Sequence, residues 1–138
     1  MRAVVQRVLK ASVSAGEAEV SRIGPGMFVL LGVARGDSTE VATKLARKVA
    51  ALRIFPDSEG RLTEPLGERE ILCVSQFTLL GDASRGNRPG FQLAAPAEEA
   101  EPLYDLFCTE AGARKGAFGE EMAIELLLDG PVTIEIAM

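Results

Sequence analysis

The 138-residue sequence has no histidine, no tryptophan, one tyrosine and two cysteines. Without histidine there is no Ser-His-Asp or Cys-His catalytic arrangement and no histidine-ligated zinc site. Any catalysis must therefore depend on carboxylates, lysine, backbone amides or groups of the substrate itself. Cys73 lies in an apolar run and Cys108 in a predicted helix, and neither belongs to a Cys-x-x-Cys pair, so disulfide and metal-site interpretations are both weak, and we expect no metal.

Cationic residues and long apolar runs are also scarce. Fifteen Lys and Arg stand against 20 Asp and Glu, a net charge of −5, which argues against DNA binding and other broad nucleic-acid binding. A local contact with one RNA end stays compatible with this charge. No apolar stretch approaches the length of a membrane span, and MRAVVQRV at the N-terminus lacks the apolar core of a signal peptide. We therefore expect a cytoplasmic protein without a membrane partner.

What the sequence does contain is the pattern of a globular chain, and its length fits a single domain over 1–138. Helical spacing predicts one helix to about residue 51, beginning with a capping box in which Asp37 is the N-cap. A second helix is predicted from Pro96 to Ala111, with Pro102 in its first turn. Apolar runs and alternation predict strands at 2–14, 17–23, 27–34, 52–55, 71–80, 120–128 and 132–136. Together these elements predict a mixed, strand-rich α/β fold.

Polar residues interrupt the most apolar predicted strand at Ser75-Gln76-Phe77-Thr78. The simpler interpretation, which the residues alone favour, is a strand end with Gln76 and Thr78 facing solvent and Phe77 facing the core. In the functional interpretation the strand end opens onto a pocket, where released backbone N–H groups hold a developing oxyanion. Because a threonine hydroxyl without a base is a poor nucleophile, we expect Thr78 to act as a hydrogen-bonding group.

Two segments rich in glycine and proline have similar alternatives. The loop 84–91, with Arg85 and Arg88, is either a solvated turn or a phosphate contact, and Phe91 is expected to anchor it to the core. Gly130-Pro131, between two apolar strands, is either a hairpin turn or bulge, or a cis peptide whose fixed carbonyls test the shape of a ligand. The residues alone leave both choices open.

Taken together, these segments resemble the D-aminoacyl-tRNA deacylase family. SQFTL (75–79) matches one family signature as it stands, and DGPVT (129–133) matches most of the other. MRAVVQRV, LRIF, RGNRPGF, AAPAEEAEPLY and FGEEM recur at the expected places, so the resemblance covers nearly the whole chain. The departures are Leu128 in place of the usual asparagine, Gly90 in place of a serine, and shortened segments at 61–70 and between Cys108 and Phe118.

The resemblance implies a homodimer in which two packed β-sheets form a barrel-like arrangement with two flanking helices. It implies hydrolysis of the ester bond of D-aminoacyl-tRNA, and of glycyl-tRNA, without a cofactor and with L-aminoacyl-tRNA left intact. Two other functions stay open. One is an RNA-end-binding dimer of weakened activity, favoured by Leu128 and the shortened segments, and the other is a hydrolase of another small acyl ester.

Carried over by position, the resemblance also assigns roles to individual residues. The catalytic site would be lined by Ser75, Gln76, Phe77 and Thr78. Chiral selection would belong to Gly130 and Pro131, joined by a cis bond and acting in the partner's site. Support for that pair would come from Arg7, Val132 and Thr133, and contacts with the tRNA acceptor end from Arg53, Arg85 and Arg88.

Overall fold

A computed structural model describes residues 1–138 as eight strands and two helices. In chain order they are β1 (Arg2–Ala15), β2 (Ala18–Ile23), β3 (Gly26–Gly32), α1 (Thr39–Ala50), β4 (Phe55–Pro56), β5 (Leu62–Glu64), β6 (Glu70–Ser75), α2 (Ala97–Ala111), β7 (Arg114–Lys115) and β8 (Met122–Ala137). A 3₁₀ turn, Phe77–Leu80, follows β6. Neither helix is long and apolar enough to span a membrane. The predicted mixed, strand-rich α/β class is confirmed.

Six of the strands form one curved sheet around the long strand β1. The first half of β1 pairs with β3, its second half with β2, and nearly its whole length with β8, all antiparallel. Strands β6 and β7 continue the sheet in parallel beyond β3. Because β2 returns to contact β6 and β7, the sheet closes nearly into a barrel. The barrel-like arrangement with two helices is therefore confirmed, and β4 and β5 form a separate small hairpin.

Apolar side chains fill both faces of the sheet. Alternate residues of β3 point to opposite faces, so Val29 joins a cluster shared with α1 and α2, while Phe28 joins a second cluster with Val13 and Leu72. Burial on both faces explains why β3 is a continuous apolar run and not an alternating one. The candidate site lies at the C-terminal ends of β3 and β6.

Both helices start differently from the prediction. The N-cap of α1 is Ser38, whose hydroxyl accepts from the Val41 N–H at 3.4 Å. Asp37 instead accepts from the Ala34 N–H at 2.7 Å and from the Met1 ammonium at 2.8 Å. In α2, Pro96 is the cap and Ala97 the first residue, so Pro102 lies beyond the first turn.

Four predicted strands also change. The segment 52–55 contributes only the start of β4, and the two predicted C-terminal strands are the single strand β8. The prediction over 71–80 is wrong beyond Ser75, because the chain turns into the 3₁₀ turn there. Gly32 permits this close packing, since a Cβ at residue 32 would lie 2.5 Å from Leu80 Cδ2 and 3.0 Å from the Gln76 carbonyl oxygen.

Candidate functional site

A pocket of about 470 Å³ opens at the end of β6. Its walls come from the end of β3, the end of β6 with the 3₁₀ turn, the start of α2, and the segment entering β8. The lining residues are Val33, Val74, Ser75, Gln76, Phe77, Ala95, Ala97, Ala100, Phe118, Gly119, Glu120, Met122 and Ile124. A concave, mainly apolar cavity of this volume with a few polar groups is typical of a small-ligand site.

The polar strand end forms one wall of this pocket. Phe77 is 54% exposed, so the interpretation that placed it in the core is wrong. The Gln76 N–H bonds the Leu31 carbonyl at 2.8 Å, and the Leu79 N–H bonds the Gln76 carbonyl at 3.2 Å. The N–H groups of Phe77 and Thr78 are the first two of the 3₁₀ turn, where helical structures leave donors without an intrahelical partner. The side-chain amide of Gln76 donates a hydrogen bond to the Thr78 hydroxyl.

Strand β8 bulges away from β1 around the Gly130-Pro131 pair. Gln6 lies opposite Thr133 and Val8 opposite Leu128, so Arg7 alone faces the four residues 129–132. The hairpin alternative is therefore wrong and the bulge alternative is confirmed, within one continuous strand. The Gly130-Pro131 peptide bond is cis, as the resemblance implied, and both residues are exposed. Gly130 has φ +122°, a conformation that favours glycine.

The side chain of Arg7 supports this bulge from the interior. It is 8% exposed, and its Nε donates to the Asp129 carbonyl at 3.1 Å and lies 3.2 Å from the Asp129 carboxylate. Its Nη1 donates to the Ile54 carbonyl at 2.8 Å, and its Nη2 would lie 3.0 Å from a Cβ at Gly130. These acceptors satisfy a guanidinium that is otherwise withdrawn from water. Arg7 thus holds Asp129, the residue just before the pair that the resemblance linked to it.

The two residues that follow the Gly130-Pro131 pair, Val132 and Thr133, differ in burial. Val132 packs against the larger apolar cluster, whereas Thr133 is exposed opposite Gln6. None of Gly130, Pro131, Val132 or Thr133 lines the pocket of its own chain. The structure therefore brings Ser75, Gln76 and Phe77 together in one site and leaves the Gly130-Pro131 pair outside it.

The three candidate RNA-contacting arginines fall into two groups. Arg53 is exposed, but its Nε donates to the Thr63 carbonyl at 2.6 Å beside the β4–β5 hairpin. Arg85 and Arg88 lie on the exposed loop 81–90, where Asp82 and Gly90 exchange two backbone hydrogen bonds of 2.8 Å. The Ser84 N–H donates to the Asp82 carboxylate at 2.9 Å and lowers the pKa of that carboxyl.

The expectation that Phe91 anchors this loop to the core is wrong. Its side chain is 36% exposed, and its ring meets that of Phe77 edge-on, with centroids 5.1 Å apart and planes at 72°. Phe91 does not itself line the pocket, but its contact with Phe77 joins the loop to the 3₁₀ turn.

The buried titratable groups near the pocket do not line it. Cys73 and Cys108 are buried free thiols, and burial raises the pKa of Cys73 well above its usual value. Burial likewise raises the pKa of Tyr104, whose hydroxyl donates to the Cys73 carbonyl at 2.8 Å. No group of three or more His, Cys, Asp or Glu side chains is arranged to hold a metal ion.

Sequence reasoning missed the half of the pocket formed by the start of α2 and by residues 118–124. The segments AAPAEEAEPLY and FGEEM belonged to the resemblance, but no role was assigned to them. Most of the lining residues they contribute, such as Ala97, Ala100 and Phe118, are apolar and carry no chemical signature. Glu120 is the one charged residue of the lining.

Comparison with known proteins gives concordant similarities. The family described as D-Tyr-tRNA(Tyr) deacylase matches residues 4–137. The chain is 51% identical to a D-aminoacyl-tRNA deacylase of Chlorobium limicola, covering 97% of this chain and 95% of that protein. It is 52% identical to a protein of the same name from Anaeromyxobacter dehalogenans, with the same coverage.

Two solved structures share the fold. One, titled c-Myc DNA Unwinding Element Binding Protein, superposes with a TM-score of 0.93 at 40% identity and covers 100% of this chain and 99% of its own. The other is titled as a structural analysis of a probable eukaryotic D-amino acid tRNA deacylase. It gives a TM-score of 0.81 at 18% identity and covers 98% of each chain, which shows the fold alone.

Proposed function

The chain belongs to the D-Tyr-tRNA(Tyr) deacylase family, and on that premise we propose that it hydrolyses the ester bond between a D-amino acid and the terminal adenosine of tRNA. The single observation that carries the proposal is that Ser75, Gln76 and Phe77 of the SQFTL signature line an apolar pocket, with Thr78 next to them in the 3₁₀ turn. The products are the free D-amino acid and uncharged tRNA. Glycyl-tRNA is a second substrate, and L-aminoacyl-tRNA is rejected.

The chemistry suits a histidine-free site, because an aminoacyl ester is already reactive. Attack of water on the ester carbonyl makes a tetrahedral oxyanion, which the N–H groups of Phe77 and Thr78 are suited to receive. One such donor is worth about 2.7–4 kcal/mol in the transition state. The 2′-hydroxyl of the terminal ribose helps to activate the water. Thr78, with its hydroxyl already hydrogen-bonded by Gln76, orients groups and does not attack.

Selection by handedness is assigned to the backbone of Gly130 and Pro131 from a partner subunit. If their carbonyls stand where the side chain of an L-amino acid must go, every L-amino acid is excluded by collision. The side chain of a D-amino acid points elsewhere, and glycine has none. Exclusion of this kind discriminates by handedness while it tolerates many side chains.

The exposed edge of β8 supports the proposed homodimer. β8 pairs only with β1, so a 16-residue strand has one unpaired edge. Ile124, Leu127 and Leu128 on this strand are 36%, 47% and 41% exposed, and Leu9 of β1 is 47% exposed. A long unpaired edge with apolar side chains is a favourable surface for a second copy. It also presents Gly130-Pro131, which lies outside its own chain's pocket, to a partner.

Contact with tRNA is confined to the acceptor end in this proposal. The net charge of −5 leaves few cations for phosphates, and the exposed Arg85 and Arg88 lie on the loop that the Phe91–Phe77 contact joins to the pocket wall, whereas Arg53 lies beside the β4–β5 hairpin. We expect a shallow dependence of affinity on salt, because its slope follows the number of phosphate contacts. The reaction is assigned to the cytoplasm, where aminoacyl-tRNA is used.

The decisive experiment measures release of amino acid from matched D- and L-aminoacyl-tRNA and from glycyl-tRNA. We expect release from the D form and from glycyl-tRNA and none from the L form. Binding without release of any amino acid would instead support an RNA-end-binding dimer of weakened activity, for which Leu128 beside the bulge is the favouring feature. If the protein neither binds these RNAs nor releases an amino acid from them, the alternative of a hydrolase acting on another small acyl ester would be favoured.

The role of Thr78 is tested with Thr78→Ala and Thr78→Ser. We expect Thr78→Ala to lower kcat by about tenfold, as for loss of one hydrogen bond, and Thr78→Ser to restore most of the rate. A loss of the size caused by removing a nucleophile, with folding intact, would contradict the backbone mechanism.

A further inference from the structure

Two phenylalanines lie exposed beside the pocket in a chain poor in aromatic residues. Of the six phenylalanines, Phe77 and Phe91 are the two most exposed, at 54% and 36%, and Leu93, two residues after Phe91, is 63% exposed. We call Phe77 and Phe91 the aromatic edge. Because Phe77 also lines the pocket, the aromatic edge is continuous with the site proposed to hydrolyse the ester at the terminal adenosine.

The two rings are held in place by the backbone beneath them. A Cβ at residue 81 would lie 3.0 Å from Phe91 Cε1, so Gly81 lets that ring pack directly on the chain. The paired hydrogen bonds between Asp82 and Gly90 close the loop just before Phe91. An exposed ring that is fixed in this way loses little conformational freedom when a ligand stacks on it.

The loop next to the aromatic edge presents two arginines without partners. Of the eleven arginines, Arg85 and Arg88 are the two that form neither an ion pair nor a side-chain hydrogen bond. In a chain of net charge −5, unpaired cations concentrated beside an apolar edge favour a ligand that is both anionic and flat.

Resting on the proposed function, we propose that the aromatic edge stacks the unpaired base that precedes the terminal adenosine, while Arg85 and Arg88 contact the neighbouring phosphates. Stacking platforms flanked by cations are the usual way to hold single-stranded nucleic acid, and only unpaired bases expose the faces that stack. The aromatic edge thereby distinguishes a single-stranded acceptor end from a free aminoacyl-nucleoside.

Binding of uncharged RNA tests this proposal independently of hydrolysis. The probes are two RNA hairpins, one with a four-nucleotide unpaired 3′ tail ending in adenosine and one with a blunt end. We expect Phe91→Leu, which keeps an apolar side chain but removes the ring, to weaken binding of the tailed hairpin about tenfold. Equal weakening for both hairpins, or none for either, overturns the proposal.

The arginines are tested by the dependence of binding on salt. We expect the double variant Arg85→Gln, Arg88→Gln to reduce the slope of log K against log salt by about 1.4, which corresponds to two lost contacts with single-stranded phosphates. The matched control Lys44→Gln, Lys48→Gln removes two exposed charges from α1 and is expected to leave the slope unchanged. Identical slopes for both double variants overturn the role of the loop.

Kinetics separate this inference from the proposed function. Phe91→Leu is expected to raise KM for D-aminoacyl-tRNA about tenfold more than KM for D-aminoacyl-adenosine, which lacks the preceding nucleotides. If the unchanged protein hydrolyses neither substrate, the proposed function fails. The hairpin measurement still tests whether the aromatic edge stacks an unpaired base. If both KM values rise equally, Phe91 serves only to pack Phe77, and the inference fails.

Discussion

The 3₁₀ turn after β6 and the bulge in β8 are both departures from regular strand, but they are held by opposite means. The turn packs against β3 because Gly32 has no side chain, and Leu80 and the Gln76 carbonyl occupy the space that a Cβ would take. The bulge is held by a large charged side chain, since Arg7 reaches the carbonyls of Asp129 and Ile54. One departure depends on a missing atom and the other on a buried cation.

This difference implies different responses to mutation. The turn should be disrupted by adding a single carbon, with a direct effect on the pocket it lines. The bulge should be disrupted by removing charge and hydrogen bonds, with a larger effect on stability because unpaired acceptors stay buried.

The largest effect on stability is expected for Arg7→Gln. It removes the ion pair with Asp129 and the bond to the Ile54 carbonyl, at a site where the arginine side chain is 8% exposed. Because the Asp129 side chain is 37% exposed and regains some water, we expect the lower part of the range for broken buried pairs, about 3 kcal/mol. Urea unfolding at fixed protein concentration measures this loss.

Two further variants make this prediction specific to the bulge. Arg7→Lys keeps the charge but not the planar fork, so it is expected to lose about half as much stability. Arg53→Gln also removes one bond to a backbone carbonyl, but at an exposed position, and is expected to cost less than about 1 kcal/mol. Equal losses for Arg7→Gln and Arg53→Gln would show that burial under the bulge is unimportant.

The second prediction concerns Gly32→Ala in the turn. Its Cβ would need Leu80 and the Gln76 carbonyl to move, so we expect a loss of about 1–3 kcal/mol in stability. A shift of the turn on the order of 1 Å would misplace the Phe77 and Thr78 N–H groups and lower kcat by about 100-fold. The control Gly24→Ala adds the same atom where nothing lies within 4 Å. A normal kcat in Gly32→Ala would mean that the turn tolerates displacement.

Sequence reasoning reached these two regions unequally. The interruption of apolar strands by Ser75-Gln76 and by Gly130-Pro131 was visible, because polar, glycine and proline residues inside apolar runs need an explanation. The residues that hold the turn and the bulge in place were not visible in the same way. Nothing in the sequence distinguishes Gly32 from other glycines, since its role depends on Leu80 approaching from 48 residues away. Arg7 was assigned to the Gly130-Pro131 pair by resemblance. Its hydrogen bond to the Ile54 carbonyl could not be predicted, because only the folded chain brings these two residues together.

The class of the fold was predictable for a related reason. Periodic burial is a local property, so β1, β3 and both helices were close to their predicted positions, whereas the end of β6 was set by contact with β3. The same limit applies to the pocket. Ala95, Ala97 and Ala100 line it only because α2 starts beside β6, and alanine carries no signal of that role.

The smallest predicted effect concerns Arg2, which bridges the two regions. Its Nη1 donates to the Leu79 carbonyl of the turn at 2.9 Å, and its Nε lies 3.3 Å from the Glu135 carboxylate of β8. Because the Arg2 side chain is 41% exposed, we expect Arg2→Gln to cost about 1 kcal/mol in stability and to lower kcat severalfold through the turn. Glu135→Gln, at a position 60% exposed, removes only the surface ion pair and is expected to cost less than about 0.5 kcal/mol with kcat unchanged.

If both variants lower kcat equally, the bridge acts through β8. The turn would then depend on a charged contact as the bulge does, and the contrast between a missing atom and a buried cation would no longer hold.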